Sequence, residues 1–206
     1  MLTEPRSLRA VALNCTLKGG TEASSTQRLL EVLAAAFAQE EVEIEIIRVV
    51  DEHIAEGVTS DEGQGDGWPG VRARILDAQI LVMGTPIWLG APSSVARKAL
   101  ERMDAFLGEE DEQGRMISYD RVGVVATVGN EDGAHAVAAQ LYQGMADLGF
   151  TIPPSAQAYW VGEAMGSVDF KDLDEVPESV TSTASDIARN ATHLARLLQS
   201  SPYPPS

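Results

Sequence analysis

The sequence predicts one α/β domain of 206 residues in which helices cover both faces of a parallel β-sheet. Three times, an apolar run of strand length is followed by a loop and then by a segment with helical spacing. These runs occupy residues 8–13, 78–83 and 121–128. Parallel strands need crossover connections, which are right-handed, so the pattern indicates a doubly wound fold. We expect an ordered core over about 8–199 and a tail over 200–206.

The first strand is followed by a polar loop and a well-marked helix. Loop 14–26 is rich in hydroxyl side chains and glycine, and Ser24, Ser25 or Thr26 can cap the helix after it. The inward residues of that helix keep a spacing of three to four: Leu29, Leu30, Leu33 and Phe37.

The next part of the chain contains a second strand, an excursion and a second helix. Residues 42–50 alternate apolar and acidic side chains before turning apolar, which is typical of a strand near a sheet edge. Residues 51–70 are acidic, contain several glycines and lack periodicity, so they are predicted to form a surface excursion. A helix from about Trp68 through Leu76 then leads into the strand at Gln79–Met83.

The stretch Gly84–Ser94 is predicted to be a loop at the carboxyl end of this strand, where open α/β sheets bind their ligands. Its two prolines and two glycines favour an irregular backbone whose amides can bind a flat polar ligand. A plain strand-to-helix connection with a buried tryptophan is the alternative. A helix follows from Ser93 or Ser94, with this inner stripe: Val95, Ala99, Met103, Phe106 and Leu107.

The last third repeats the strand, loop and helix and then becomes less regular. A strand at 121–128 and a loop at 129–133 precede a helix with these inward residues: Val137, Leu141, Met145 and Leu148. A short strand is predicted within Thr151–Tyr159, interrupted by two prolines. Residues 162–177 are predicted to be an insertion, and after the final helix the chain is predicted to fray from Ser200.

Composition and charge exclude several classes of function. The chain has 31 acidic and 15 basic residues and a net charge of −16, so its surface repels nucleic acid and anionic lipid. No apolar run approaches the roughly 18 residues that span a bilayer. The polar start of the chain lacks the apolar core of a secretory signal, which predicts a cytoplasmic protein.

Few side chains are suited to catalysis or metal binding. Cys15 is the single cysteine, which excludes an intramolecular disulfide and a cysteine-based metal cluster. The three histidines lack partners at metal-ligand spacing, so no metal site is predicted. The sequence has no Walker motif, no dinucleotide fingerprint after a strand and no Gly-x-Ser-x-Gly elbow. We therefore predict no catalytic side chain and assign the chemistry to a cofactor.

Three loops that follow strands are expected to meet at one edge of the sheet, and their chemistry is complementary. Loop 14–26 offers hydroxyls and a helix N-terminus, which suit a phosphate. Lys18 is either a phosphate contact or a surface lysine. Trp88 either flanks a ring or anchors its loop.

The motifs Asn14-Cys15-Thr16-Leu17-Lys18, Gly84-Thr85-Pro86-Ile87-Trp88-Leu89-Gly90 and Gly129-Asn130-Glu131-Asp132-Gly133 together resemble the flavodoxin-like NAD(P)H-dependent FMN reductase superfamily, from about residue 8 to 148. The resemblance implies a five-stranded parallel sheet in the order 2-1-3-4-5. It also implies that FMN phosphate is held by Thr16, Lys18, Ser24, Ser25 and Thr26. The isoalloxazine ring would be lined by Pro86, Ile87, Trp88, Leu89 and Gly90, and closed by Gly129, Asn130, Asp132 and Gly133.

The leading functional hypothesis is an FMN-dependent oxidoreductase that passes electrons from NADH or NADPH to a quinone, a flavin or a similar small acceptor. A flavodoxin-type electron carrier is the first alternative, because acidic carriers dock on basic partners. A regulatory or scaffold protein without flavin is the second. We expect a homodimer or homotetramer, with a contact formed by the final helix and residues 162–177.

Overall fold

The computed structural model describes residues 7–205, whose central feature is a sheet of five parallel strands. The strands follow the order β2-β1-β3-β5-β6, and a two-residue strand, β4, pairs antiparallel with β3. Their bounds are β1 Arg9–Asn14, β2 Glu43–Arg48, β3 Ile80–Trp88, β4 Ala91–Pro92, β5 Val122–Gly129 and β6 Gln157–Val161. The predicted flavodoxin-like order of five parallel strands is confirmed, with the short β4 as an addition.

Five helices cover the sheet, as the doubly wound prediction requires. Their bounds are α1 Ser25–Gln39, α2 Trp68–Asp77, α3 Ser94–Met103, α4 Ala134–Asp147 and α5 Glu178–Ser200. The apolar residues of α1 and α5 share one buried cluster on one face of the sheet. Those of α2, α3 and α4 belong to a second cluster on the other face. β3 and β5 are buried along most of their length because helices cover both of their faces.

The stretch after Met83 differs from the prediction of a loop. β3 continues through Trp88, and its residues up to Pro86 stay in parallel register with β5. The chain then reverses at Leu89–Gly90 and pairs back on β3 through Ala91–Pro92, so the stretch forms a β-hairpin. Proline is accommodated because Pro92 belongs to a short strand with a single neighbour.

Two further boundaries were predicted wrongly. The last strand covers Gln157–Val161 and not the start of Thr151–Tyr159, because two prolines separate the halves; Thr151 makes only an isolated bridge with Val122. α3 ends at Met103 and is followed by a 3₁₀ turn, Asp104–Gly108. Leu107 is consequently exposed and does not belong to the inner stripe.

The excursion at 51–70 is held in place by α3. The buried Arg102 donates from Nη1 to the Ala55 carbonyl at 2.9 Å and from Nη2 to the Thr59 carbonyl at 2.9 Å. These carbonyls belong to irregular backbone, which would otherwise lack hydrogen-bond partners. The excursion is therefore an ordered structure packed on the second cluster.

The predicted frayed tail is anchored at Tyr203. Its N–H donates to Asp120 Oδ1 at 2.9 Å, and its carbonyl accepts from Arg115 Nη1 at 2.8 Å. Its ring packs edge-on against Tyr119, with centroids 5.7 Å apart. Because these partners lie far upstream, the local composition of the tail carried no sign of this contact.

Residues 7–205 contain neither a membrane-spanning helix nor a cluster of metal-ligating side chains. No helix among them has the length and apolar character needed to cross a membrane. Within the same range, no three side chains of the metal-ligating types are grouped so that they could hold a metal ion. The single-domain organisation of the chain stays a prediction.

Candidate functional site

A cavity of about 340 Å³ lies at the carboxyl ends of β1, β3 and β5. This is the edge of the sheet at which doubly wound proteins bind their ligands. Ten of the predicted site residues line it: Thr16, Lys18, Ser24, Ser25, Thr26, Pro86, Ile87, Trp88, Gly129 and Asn130. The three loops that the sequence predicted to be complementary thus meet around one space.

One wall of the cavity is formed by hydroxyl groups that each accept a backbone N–H. Thr16 Oγ1 accepts from Lys18 N at 3.4 Å, and Ser24 Oγ accepts from Gln27 N at 3.3 Å. Ser25 Oγ accepts from Lys171 N at 3.2 Å. A hydroxyl that accepts in this way still has its own O–H to donate. The wall therefore presents oriented donors to an anion.

The same wall contains the N-terminus of α1. Ser24, one of the three predicted candidates, is the N-cap in extended conformation, and its side chain accepts from the third residue of the helix. The first-turn N–H groups of Ser25 and Thr26 have no acceptor within the helix, so they are available to an anion. Lys18 also lines the cavity. Its Nζ donates to the Ala23 carbonyl at 3.2 Å, so the ammonium group lies against the backbone of its own loop.

The opposite wall is the β3–β4 hairpin, and its base is fixed by buried hydrogen bonds. Ser93 N donates to Thr85 Oγ1 at 3.0 Å, and Ser93 Oγ donates to the Cys15 carbonyl at 2.7 Å. Ser93 Oγ also caps α3 by accepting from Ala96 N. These bonds join the ends of β1 and β3, so the hairpin starts from a rigid base.

The tip of the hairpin is a two-residue turn that projects from the molecule. Leu89 and Gly90 both have positive φ, 52° and 70°, as a type I′ turn requires. Gly90 N donates to Glu131 Oε1 at 3.0 Å, so the third loop holds the tip. Trp88 lines the cavity and yet remains 55% exposed.

The third wall comes from residues 162–177, which we call the strap. Asn130 Nδ2 donates to Asp169 Oδ1 at 3.0 Å and to the Gly166 carbonyl at 3.3 Å. On its other side, Arg28 of α1 donates from Nη1 to three strap carbonyls, the nearest being that of Leu173 at 2.6 Å. The strap is thereby attached to the third loop and to α1, and Met165 and Asp169 line the cavity.

Charge within the site is arranged around the strap. The hydrogen bond to Asp172 raises the pKa of Lys171 despite its partial burial, and Asp169 adds to this. Burial alone raises the pKa of the Cys15 thiol, which lies under the cavity floor and is fully buried. Cys15 is therefore an unreactive packing residue.

The chain matches a known protein family over most of its length. The sequence model of the NADPH-dependent FMN reductase family matches residues 8–164, more than half of the chain. The chain belongs to that family. The predicted family is thus confirmed, and it is a family of NADPH-dependent FMN reductases.

Two curated relatives match nearly all of the chain. It is 36% identical over 199 residues to the divalent metal cation transporter MntH of Mycobacterium bovis, covering 93% of this chain and 29% of that protein. It is 31% identical over 207 residues to the 8-demethyl-8-aminoriboflavin-5′-phosphate synthase of Streptomyces davaonensis, covering 96% of this chain and 80% of that protein. The chain thus spans under a third of the first relative and most of the second.

A solved structure resembles the whole fold. It is RosB with the bound intermediate 8-demethyl-8-formylriboflavin-5′-phosphate, which is 31% identical with a TM-score of 0.86. The match covers 95% of this chain and 82% of that chain. It therefore extends over the strap, whereas the family match ends at residue 164.

The residues around the cavity suit the flavin of the FMN reductase family. Oriented hydroxyls and a helix N-terminus are a donor set for a phosphate, and a partly exposed indole in the lining suits a ring. The cavity volume lies within the range of small-molecule sites, roughly 300–1,000 Å³. Asn130, which also lines the cavity, has its Oδ1 buried without a hydrogen-bond partner among the described residues.

Four predicted residues lie outside the lining of the cavity: Leu89, Gly90, Asp132 and Gly133. Two of them touch each other, since a Cβ on Gly133 would lie 2.8 Å from Gly90 Cα. Gly90 and Gly133 thus join the hairpin to the third loop. The predicted contact of all four residues with FMN stays a prediction.

Five lining residues were not predicted: Leu17, Val128, Glu131, Met165 and Asp169. Leu17 and Glu131 lie inside the quoted motifs but were assigned no contact, and Val128 directly precedes the third motif. Met165 and Asp169 belong to the strap, where the sequence indicated only an insertion.

Proposed function

We propose that the protein is an FMN-dependent oxidoreductase that takes electrons from NADH or NADPH and passes them to a small acceptor such as a quinone or a flavin. The observation that carries the proposal is the hydroxyl wall: three cavity hydroxyls are oriented by backbone N–H groups beside a helix N-terminus. In a protein with a net charge of −16, such a wall supports binding of a phosphate by dipoles.

The proposed cofactor contacts follow the three loops. The hydroxyls of Thr16, Ser24 and Ser25 would hold the phosphate, with Lys18 and Thr26 beside them. The ring would lie between the hairpin and the third loop, along these residues: Pro86, Ile87, Trp88, Gly129 and Asn130. When bound, FMN supplies hydride and electron transfer, which no side chain of the site provides.

The chain's own part in the reaction is to position the groups that surround the ring. The bonds of Ser93 fix the hairpin base, and that of Glu131 fixes its tip. A rigid wall of this kind keeps backbone dipoles at fixed places around the ring, which supports tuning without a side-chain acid or base.

The test is a flavin titration followed by reduction. Purified protein is titrated with FMN by fluorescence, and the complex is mixed anaerobically with NADPH or NADH and then with a quinone. We expect FMN binding, rapid bleaching by one nicotinamide and recovery with the quinone. Slow bleaching by both nicotinamides, with fast reduction by a partner reductase, would favour an electron carrier. A failure to bind FMN would favour a scaffold protein and contradict the proposal.

A second candidate function is chemistry on the flavin itself. The Streptomyces relative is a synthase of a modified riboflavin phosphate, and the RosB structure contains a riboflavin-phosphate intermediate. In this case riboflavin 5′-phosphate would be a substrate of the present chain. Mass spectrometry of the flavin after incubation distinguishes the two: an unchanged mass with many nicotinamides oxidised per flavin supports a cofactor, and an altered mass supports a substrate.

We propose in addition that the protein is a homodimer or homotetramer. The contact was predicted for the final helix and the strap, and the support comes from the strap and its surroundings. It is a group of exposed apolar side chains at and near the cavity mouth: Leu17, Trp88, Leu89, Met165 and Val168. Leu89 and Met165 are 95% and 96% exposed, which is costly for apolar side chains in water. Light scattering tests this, and a monomeric mass would contradict it.

A further inference from the structure

Asp169 places a carboxylate in a cavity that is otherwise suited to an anion. It lies on the strap, beyond the part of the chain that matches the family, and its side chain is 46% exposed. A dianionic phosphate would be repelled by this group. The part of a ligand that lies next to Asp169 is therefore expected to donate hydrogen bonds and to carry no negative charge.

The contacts of Asp169 connect it with the third loop and with the hydroxyl wall. Its Oδ1 accepts from Asn130 Nδ2 at 3.0 Å, on the side of the third loop. Its Oδ2 lies 3.3 Å from Lys171 Nζ, and the backbone N–H of Lys171 donates to Ser25 on the hydroxyl wall. The carboxylate thus contacts the third loop, beside the proposed ring region, and is linked through Lys171 to the hydroxyl wall, where the phosphate is proposed to bind.

The carboxylate also has hydrogen-bonding capacity left. An ionised carboxylate offers about four acceptor positions, and Asn130 and Lys171 take two of them. In riboflavin 5′-phosphate, the group that joins ring and phosphate is the ribityl chain, which carries hydroxyl donors and no charge. Hydrogen bonds from hydroxyls to a carboxylate are charge-assisted and stronger than neutral ones.

We propose that Asp169 binds the ribityl hydroxyls of the flavin and so selects flavins that carry this chain. The inference rests on the proposed function, since it concerns the ligand of the same cavity. It gives the strap a role in selecting the ligand, and Asp169 lies outside residues 8–164, the part of the chain that matches the family.

Asp169→Ala and Asp169→Asn test this by fluorescence titration with FMN, riboflavin and lumiflavin, which is the ring without a ribityl chain. We expect Asp169→Ala to raise the Kd of FMN and of riboflavin by the same factor, about tenfold or more, and to leave that of lumiflavin unchanged. Asp169→Asn keeps one oxygen for Asn130 and should show the same selectivity with a smaller factor. Should Asp169→Ala fail to fold, Asp169→Asn carries the test.

Asp172→Ala is the matched control. Asp172 also pairs with Lys171, but it does not line the cavity, so all three Kd values should stay unchanged. The inference is overturned if Asp169→Ala and Asp169→Asn leave the FMN and riboflavin values unchanged, weaken FMN alone or weaken lumiflavin equally. The proposed function fails separately, when the unmodified protein binds none of the three flavins.

Discussion

Arg102 Nη2 donates to Asp66 Oδ2 at 2.7 Å, and both side chains are buried, with exposed fractions of 0% and 1%. Asp66 also accepts backbone N–H groups from Ala55, Glu62 and Trp68. The pair thus joins α3 to the excursion at 51–70 and to the start of α2. Burial acts to raise the pKa of Asp66, but its bonds to Arg102 and the three amides outweigh burial and hold the pKa well below the usual range.

Arg102→Ala should lower the free energy of unfolding by about 3–5 kcal/mol, because it leaves the Asp66 carboxylate buried without its partner. Urea unfolding measures this. The exposed Arg97→Ala on the same helix is the control and should change stability by less than about 0.5 kcal/mol. Equal losses of unfolding free energy in the two variants would contradict a particular contribution of the buried pair to stability.

The same pair predicts how stability depends on pH. Because the folded pKa of Asp66 is lowered, its contribution is present above the unfolded pKa of about 4 and is lost as the pH falls through the folded value. Unfolding curves should therefore show the unmodified protein losing stability as it is acidified below about pH 4. Arg102→Ala removes the main partner that lowers the pKa, so it should lose less over that range.

Thr16→Val tests the hydroxyl wall. The change keeps the shape of the side chain and removes one donor to the proposed phosphate, so the Kd of FMN should rise about tenfold or more. Riboflavin, which lacks the phosphate, should bind as before. Ser185→Ala, at an exposed position of α5, is the control and should change neither value. An equal effect on both flavins would place the hydroxyl elsewhere in the ligand.

Trp88→Ala tests the proposed ring contact. Loss of an aromatic contact should raise the Kd of FMN and of riboflavin about three- to tenfold, while Trp88→Phe should retain most of the affinity. Leu107→Ala removes an equally exposed apolar side chain far from the cavity and should have no effect. Unchanged affinity in Trp88→Ala would mean that the indole only anchors the hairpin.

Gly133→Ala tests the contact between the third loop and the hairpin. Its φ is 115°, and a Cβ there would lie 2.8 Å from Gly90 Cα, so the variant should lose about 1–3 kcal/mol of stability. Gly70→Ala is the counterpart in α2, where the added Cβ meets open space, and it should gain up to about 1 kcal/mol. Urea unfolding of both variants checks the opposite signs.

Local patterns were sufficient to predict the sheet and much of the cavity. Continuous apolar runs identified β3 and β5 because strands covered on both faces need such residues throughout. Ser24 was among the predicted caps of α1 and occupies that position, since capping depends on a residue and the helix directly after it. Hydroxyls and glycines at strand ends marked the loops that meet around the cavity.

The hairpin and the strap required tertiary structure. Pro86 and Gly90 indicated a loop locally, but pairing with β5 extends β3 through this region, and Glu131, 41 residues away, holds the turn. The strap has the composition of a surface insertion, and long-range contacts bring it over the cavity, among them the bonds to Arg28, Asn130 and Ser25.

The sequence by itself determined the order of elements, the family and two walls of the site, because periodicity, caps and loop chemistry act between residues close in the chain. Tertiary structure alone decided the third wall, the buried pair of Arg102 and Asp66 and the place of Asp169 beside the cavity. The physical reason is that single charged side chains such as Arg28 and Arg102 take their partners from distant backbone. No local pattern records which carbonyls those partners will be.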